Sequence, residues 1–235
     1  MTRYIFSKLL DLLEPRACMA CGRRLSTEQQ FFCSDCLADL PLTDFHLSPY
    51  DNEMARMFWG RIPHFEKALS LMYYHAQSTA VHPIYALKYF QRPGIGFQLG
   101  QWMGNRWQQY RLFDDIDLIV PVPLAPVRQR NRGYNQSVQI AQGIASVINK
   151  KIATDLVSRS SFTSSQTHLN RQQRAENVEH AFYLSHADRI DNKHLLLVDD
   201  VVTTGATMTA CARELSKLGE VHISVASIGF VSHEI

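Results

Sequence analysis

Asp199 and Asp200 stand side by side between the apolar run Leu195-Leu-Leu-Val198 and the segment Val201-Val-Thr-Thr-Gly-Ala-Thr207. Adjacent carboxylates accept hydrogen bonds and repel anions. The hydroxyls of Thr203, Thr204 and Thr207 donate, and Gly205 lets the backbone come close to an anion. Residues of these types in this order could hold a phosphate on the loop and the hydroxyls of a sugar on the acids, directly or through the water shell of a metal ion. A sugar 5'-phosphate carries both groups. A P-loop needs Lys followed by Ser or Thr after its last glycine, and a dinucleotide fingerprint needs three spaced glycines; the segment has neither.

A second set of donors, Arg128, Arg130 and Arg132, precedes Gly133-Tyr-Asn-Gln136. Guanidinium groups are planar and permanently charged, and their forked donors match the oxygens of a polyanion. Charge alone fits a solvated basic loop equally well. Cysteines form the third cluster: Cys18-Met-Ala-Cys21 and Cys33-Ser-Asp-Cys36. Each Cys-x-x-Cys puts two thiolates on one turn, and two such turns supply the closed tetrahedral set that Zn²⁺ takes in structural sites. Two disulfides would use the same residues in an oxidising compartment. No export signal is recognisable, which favours the metal. Cys211 shares a helical stripe with Met208, Ala212 and Leu215 and is read as a core residue.

These residues need elements to position them. Leu195–Val198 reads as a buried strand that stops in a loop and opens a helix. In open α/β sheets, ligands bind outside the carboxyl ends of the strands. Ile116 to Val122 reads as another such strand, and Tyr134, Val138, Ala141, Ala145 and Ile148 mark the core face of the helix after it. The three arginines then lie in a strand-to-helix loop. If the two strands are parallel in one sheet, both loops share one sheet edge.

Ala68 to Tyr74 alternates as a strand, and Val81 to Tyr89 reads as a helix with Pro83 in its first turn. Pro93-Gly-Ile-Gly-Phe-Gln-Leu-Gly100 reads as a turn before a helix from Phe97 to Trp107. The stretch 41–63 is a connector with a helical piece near Met54 to Trp59, and Ser158 to Asn177 is a polar loop. There Arg171 and Arg174, three apart, could meet one anion from a helical turn. Near the start, Ile5, Leu9, Leu12 and Leu13 suggest a short amphipathic helix. The organisation expected is a helix and cysteine module over 1–45, a connector over 46–65 and the main domain over 66–235.

The composition fits one α/β domain with a small appendage: 46% of the 235 residues are hydrophobic and 20% charged. A net charge of +2 is too small to point to nucleic acid by itself. No stretch approaches a transmembrane length, so no membrane insertion and a cytoplasmic location are expected.

In its strand, paired acids and Thr/Gly loop over Leu195 to Thr207, the chain resembles the type I phosphoribosyltransferases. Along essentially its whole length it resembles the ComF/GntX-like proteins of bacterial natural competence. Leu87-Lys-Tyr89, Val120-Pro-Val-Pro123, Arg132-Gly-Tyr-Asn-Gln136 and Val198 to Thr207 carry that resemblance, with the spaced set Arg159, Gln166, Arg171, Arg174, Asn177 and Phe182. It implies an α/β fold of the type I phosphoribosyltransferase kind, a parallel sheet flanked by helices, with a small N-terminal zinc ribbon.

It also implies a ligand, 5-phosphoribosyl 1-pyrophosphate (PRPP) or a nucleotide containing ribose 5-phosphate. On the resemblance, Lys88, Arg128, Arg130, Arg132, Arg171 and Arg174 would bind it together with Val201, Val202, Thr203, Thr204, Gly205, Ala206 and Thr207. Asp199 and Asp200 would be the catalytic carboxylates, Mg²⁺ would accompany PRPP, and Cys18, Cys21, Cys33 and Cys36 would hold Zn²⁺. The polar loop stands where such enzymes carry a mobile basic loop over the pyrophosphate.

The implied reaction displaces pyrophosphate from C1 by a nitrogen nucleophile. Base-recognising relatives choose the acceptor with a variable hood, whose place the zinc module and connector take here. The acceptor stays open between a base, ammonia and another amine. Two functions are expected: a phosphoribosyltransferase of competence or nucleotide salvage, or a non-catalytic PRPP-binding adapter in DNA uptake and transformation. The adapter's ribbon would meet single-stranded DNA or a competence-machinery protein. Arg16, Arg23, Arg24, Phe31 and Phe32 mix basic and aromatic residues as single-strand binders do, although the two Phe equally suit a ribbon core.

Overall fold

The computed structural model describes residues 16–75, 78, 81–89, 92–160, 181–185 and 192–233. Its strands in chain order are β1 (Phe65–Tyr73), β2 (Leu118–Pro121), β3 (Lys151–Ile152), β4 (Val157–Arg159), β5 (Phe182–Leu184), β6 (His194–Val202) and β7 (His222–Phe230). Five of them form one sheet in the order β1-β7-β6-β2-β3, every neighbouring pair parallel. β4 and β5 pair antiparallel beside it. A strand in the middle of a parallel sheet is covered on both faces, which is why Leu195–Val198 is a continuous apolar run.

The helices are α1 (Ser34–Ala38), α2 (Glu53–Phe58), α3 (His82–Tyr89), α4 (Pro93–Gln108), α5 (Pro126–Arg132), α6 (Gln136–Ile148) and α7 (Ala206–Leu215). Leu196 and Val198 of β6 join one buried layer with Leu99, Met103 and Trp107 of α4 and Ile140, Ala141 and Ile144 of α6. Leu195 and Leu197 join the other, with Met54 and Phe58 of α2 and Met208, Cys211 and Leu215 of α7. The chain is thus an α/β fold with a parallel sheet flanked by helices and a cysteine cluster near its N-terminus. Among the described residues no helix is long and apolar enough to cross a membrane.

Several elements differ from their sequence expectation. The Gly-rich stretch expected as a turn is the start of α4: Pro93 occupies its first turn, where a missing N–H costs nothing. Gly96 and Gly100 serve packing. A Cβ on Gly100 would run into the backbone carbonyl of Ile140, and one on Gly143 of α6 into that of Phe97, so the two helices touch backbone to backbone. That contact also turns α6: Ile140, Ala141, Gly143 and Ile144 are buried, while Val138, Ala145 and Ile148 are only partly so. The arginine stretch is not a loop but the short helix α5, closed by Gly133 in the left-handed region at φ 82°. β6 runs four residues past Val198, carrying Asp199 and Asp200 within the strand. The expected N-terminal helix and most of the Ser158 to Asn177 segment, with Arg171 and Arg174, lie outside the described residues.

Candidate functional site

β2 pairs with β6 so that Pro121 faces Val198, and the Val122 N–H donates to the Val198 carbonyl at 2.9 Å. The exits of both strands therefore share the carboxyl edge of the sheet. There α5 and α6 follow β2, and the threonine loop and α7 follow β6.

Between these exits lies a cavity of about 250 Å³. Its lining includes Asp199, Asp200 and Thr207 from one exit, Arg128, Arg132 and the start of α6 (Asn135, Gln136, Ser137) from the other, and Lys88, Tyr89 and Arg159. The order of these groups follows from local structure. In a helix of about 3.6 residues per turn, positions four apart share a face. Arg128 and Arg132 of α5 accordingly both line the cavity, whereas Arg130 is absent from its lining. Asn135 caps α6 by accepting from the Ser137 N–H at 2.9 Å, and its amide donates to the Val122 carbonyl at 2.9 Å, fastening the helix to the strand end.

The acids are not equivalent. Ser137 Oγ donates to Asp199 Oδ1 at 2.9 Å, and the Asp200 N–H donates to the same oxygen at 2.8 Å. Burial, then the charge of Asp200, pushes the Asp199 carboxyl up to about 7, against these stabilising bonds. Asp200 instead pairs with Lys88, Nζ to Oδ1 at 3.2 Å. Arg159 is stacked on Phe182 at 5.1 Å; burial, then the neighbouring Arg128 charge, lowers its pKa from the ordinary value. No carboxylate among the described residues forms an ion pair with Arg128, Arg130 or Arg132. The cavity therefore has a cationic wall facing an acid pair.

Beside Asp199 a smaller cavity of about 40 Å³ is lined by Val201 to Met208. Thr203 and Thr204 are exposed, while the side chain of Val202 is in the core. The Thr204 carbonyl accepts from Arg61 at 3.0 Å, and His233 Nε2 lies 3.1 Å from the Thr203 carbonyl. Gly205 stands at φ 71°, and a Cβ there would meet Met57 and Phe58 at 2.8 Å. The loop is thus moulded against α2, in the stretch expected to be a connector.

The structure brings together Lys88, Arg128, Arg132, Asp199, Asp200, Val201 and Thr207, and it adds Tyr89, Ser137 and Arg159. Ser137 gives no sequence signal beyond following the Asn135 cap. Arg159 stands in the spaced set of the family pattern.

The four cysteine sulfurs lie within 4.8 Å of one another, a set that could hold a metal ion. Burial disfavours a thiolate at Cys18, but backbone N–H groups of Cys21, Cys33 and Ala20 hold its thiol down at about 6. Phe32 and Phe31 pack on Trp102 of α4 at 5.5 and 6.4 Å, and His82 Nδ1 lies 2.7 Å from the Ala20 carbonyl. Phe32 is buried in that contact and has no open face for a base; Arg23 pairs with Asp35 at 2.5 Å.

Comparison with known proteins matches residues 134–229 to the phosphoribosyl transferase domain. The chain is 34% identical to competence protein F of Haemophilus influenzae over 110 residues, 46% of this chain and about half (48%) of that protein. It is 28% identical to the DNA utilization protein YhgH of Escherichia coli K12 over 211 residues, 88% of this chain and 87% of that one. It is 31% identical to competence protein ComFC of Streptococcus pneumoniae over 121 residues, 52% of this chain and 51% of that one. A solved glutamine PRPP amidotransferase from B. subtilis, complexed with ADP and GMP, aligns over 60% of this chain and 30% of its own, at 18% identity and a TM-score of 0.40.

Proposed function

The chain belongs to the ComF family, and from that membership we propose that it binds PRPP at the carboxyl edge of its sheet as a phosphoribosyltransferase-type protein of DNA uptake or use. One observation carries the reading: a single cavity has the acid pair on one side and Arg128, Arg132, Arg159 and Lys88 on the other, with the threonine loop adjoining. PRPP has the matching order of groups. Its 5'-phosphate would take the hydroxyls and N–H groups of Thr203 to Thr207 at the start of α7. Its ribose hydroxyls would donate to Asp199 and Asp200, and its pyrophosphate would meet the cations. Lys88, now on Asp200, is released to the pyrophosphate as the ribose takes that carboxylate.

In the transfer this arrangement serves, the bond from C1 to the pyrophosphate oxygen breaks, with its electron pair leaving on the pyrophosphate. A nitrogen lone pair bonds to C1, and the nitrogen's proton passes to bulk water. The arginines stabilise the growing negative charge and the carboxylates the cationic sugar ring. Mg²⁺, when bound, supplies charge neutralisation at the pyrophosphate. Asp199 and Asp200 are the carboxylates of this cavity that would stand nearest such an ion.

Zinc suits the cysteine cluster. A tetrahedron with Zn–S bonds near 2.3 Å has edges of about 3.8 Å, the Cys21–Cys33 sulfur separation being 3.8 Å. Thiols stay available for it in a reducing compartment, the cytoplasm.

Calorimetric titration with PRPP and Mg²⁺ tests the reading. Saturable binding is expected, weakened about tenfold or more by Arg128→Ala or Arg159→Ala, the scale of a charge-assisted hydrogen bond. Wild-type protein that fails to bind, or variants that bind equally well, would overturn it. A PRPP-sensing adapter fits the relatives' competence and DNA utilization names as well as a transferase does. Release of pyrophosphate from PRPP in the presence of free bases or amines separates the two.

A further inference from the structure

The cationic wall continues outward into a second recess of about 260 Å³, lined by Lys88, Tyr89, Arg128, Asn131 and Arg132. It shares four of these five residues with the first cavity and lacks the acids and the threonine loop. Tyr89 changes its character. The ring is 66% exposed at the end of α3, next to the lysine that reaches Asp200. It is held from behind: Tyr85 stacks on it at 5.9 Å with an interplanar angle of 29°. The Arg132 guanidinium lies over the Tyr89 ring at 6.0 Å.

A guanidinium carbon 6.0 Å from the ring centroid is beyond direct stacking contact and leaves somewhat less than the room a third flat group needs. A flat ring between them needs roughly 7 Å, two van der Waals gaps. Arg132 is a terminal residue of a short helix and Tyr89 is mostly exposed, so a small side-chain shift opens the gap. Asn131, on the same rim, offers an amide with both donors and an acceptor, the pairing chemistry of a heteroaromatic edge.

We propose that Tyr89 and Arg132 form a clamp for a planar heteroaromatic ring, with Asn131 at its edge, and that this recess receives the acceptor as a free nucleobase-like heterocycle. The assignment of the ring as acceptor rests on the PRPP reading above. Lys88 and Tyr89 are adjacent in sequence, so the same turn of α3 serves the sugar site and the ring. Arg128 and Arg132 border both recesses, while Arg159 lines only the first. The nitrogen of a clamped ring would enter the first cavity past Lys88, Arg128 and Arg132, which line both recesses.

The probes are free adenine, guanine, cytosine and uracil, each titrated into the full chain alone and with saturating magnesium pyrophosphate. PRPP is titrated separately, and an oligothymidylate serves as the strand control. At least one free base is expected to bind. Tyr89→Ala should weaken it about tenfold or more, as removing a stacking aromatic does, while Tyr89→Phe retains it. Arg132→Lys, which keeps the charge and loses the plane, should weaken it as well. Tyr89→Ala should lose far more affinity for the base than for PRPP, and its circular dichroism should match that of the wild type.

Wild-type protein that binds PRPP but none of the bases would overturn the clamp, as would a Tyr89→Ala variant that binds them unchanged. Tyr89-dependent binding of oligothymidylate without binding of any free base would overturn the acceptor assignment, since the ring would then belong to a strand. Tyr89-dependent base binding in a protein that ignores PRPP would uphold the clamp and remove the PRPP reading instead.

Discussion

A proton on Asp199 is in balance near neutral pH, because burial and the Asp200 charge raise its pKa from 3.8 to about 7. The unfolded chain gives up that proton around its ordinary value, whereas the folded chain keeps it until about 7. Between those limits the folded state binds more protons, so stability falls as pH rises, and the full cost of the ionised carboxylate is present above the folded pKa. Asp199→Asn removes the titration. Its amide oxygen still accepts from the Ser137 hydroxyl and the Asp200 N–H. The variant is expected to gain thermal stability over wild type at about pH 8 and to lose that advantage towards about pH 4, with each kcal/mol worth about 2–4 °C. Melting curves across that range decide it; a difference that does not change with pH would show that Asp199 is already ionised in acid. The same cost is what ribose hydroxyls would relieve by donating to the acids.

Between elements, the close contact of α4 and α6 decides where Ser137 stands, and glycine makes that contact. Gly143→Ala forces a methyl into the backbone of α4. The expected cost is about 1–3 kcal/mol, as for overpacking generally. Gly94→Ala, with nothing within 4 Å of its Cβ, should be neutral or gain up to about 1 kcal/mol from helix propensity. Chemical denaturation of the two variants measures both; equal stabilities would mean that the helices part without cost.

The same pair marks how far the sequence is readable. Leu195 to Thr207 is legible because apolar run, acids and threonine loop are local, and α3 because Pro83 suits a helix's first turn; α2 is legible only as a helical piece in a stretch without clear periodicity. Pro93 to Gly100 misleads because glycine is read as a turn former, and its use for a close helix crossing depends on a residue more than forty positions away. The arginines mislead in part, since alternation in a loop becomes an i, i+4 pair in a helix and takes Arg130 off the face. β3, β4 and β5 are two or three residues long, and only their partners define them. Gly205 is recognisable as a special position, but its neighbour is α2, where the reason it must be glycine lies.

Across the whole molecule, the cysteine module shares its core with the domain that carries the site. Cys18, Ala20, Leu25, Phe32 and Cys33 lie in the same buried cluster as Leu99, Met103 and Trp107 of α4. A chain of contacts then runs from the sulfurs through Phe32 and Trp102 into α4, across the glycine contact into α6, and to the Ser137 bond on Asp199. If a metal ion closes the Cys₄ set, its binding energy adds to the folding energy of this module beside the apolar contacts it shares with α4. Removal by a strong chelator is expected to undock Phe32 from Trp102, shifting tryptophan emission to the red, and to lower the melting temperature of the entire chain. Trp102→Phe should abolish most of the emission change while keeping the loss of stability, which separates the reporter from the event. Cys33→Ser, lacking one ligand, should behave like the chelated protein before any chelator is added, with less than one zinc per chain by elemental analysis. Unchanged emission and melting after complete metal removal would mean that the aromatic dock holds the module unaided. The cysteines would then stabilise only their own turns, and the route from metal to Asp199 would be broken at its first contact.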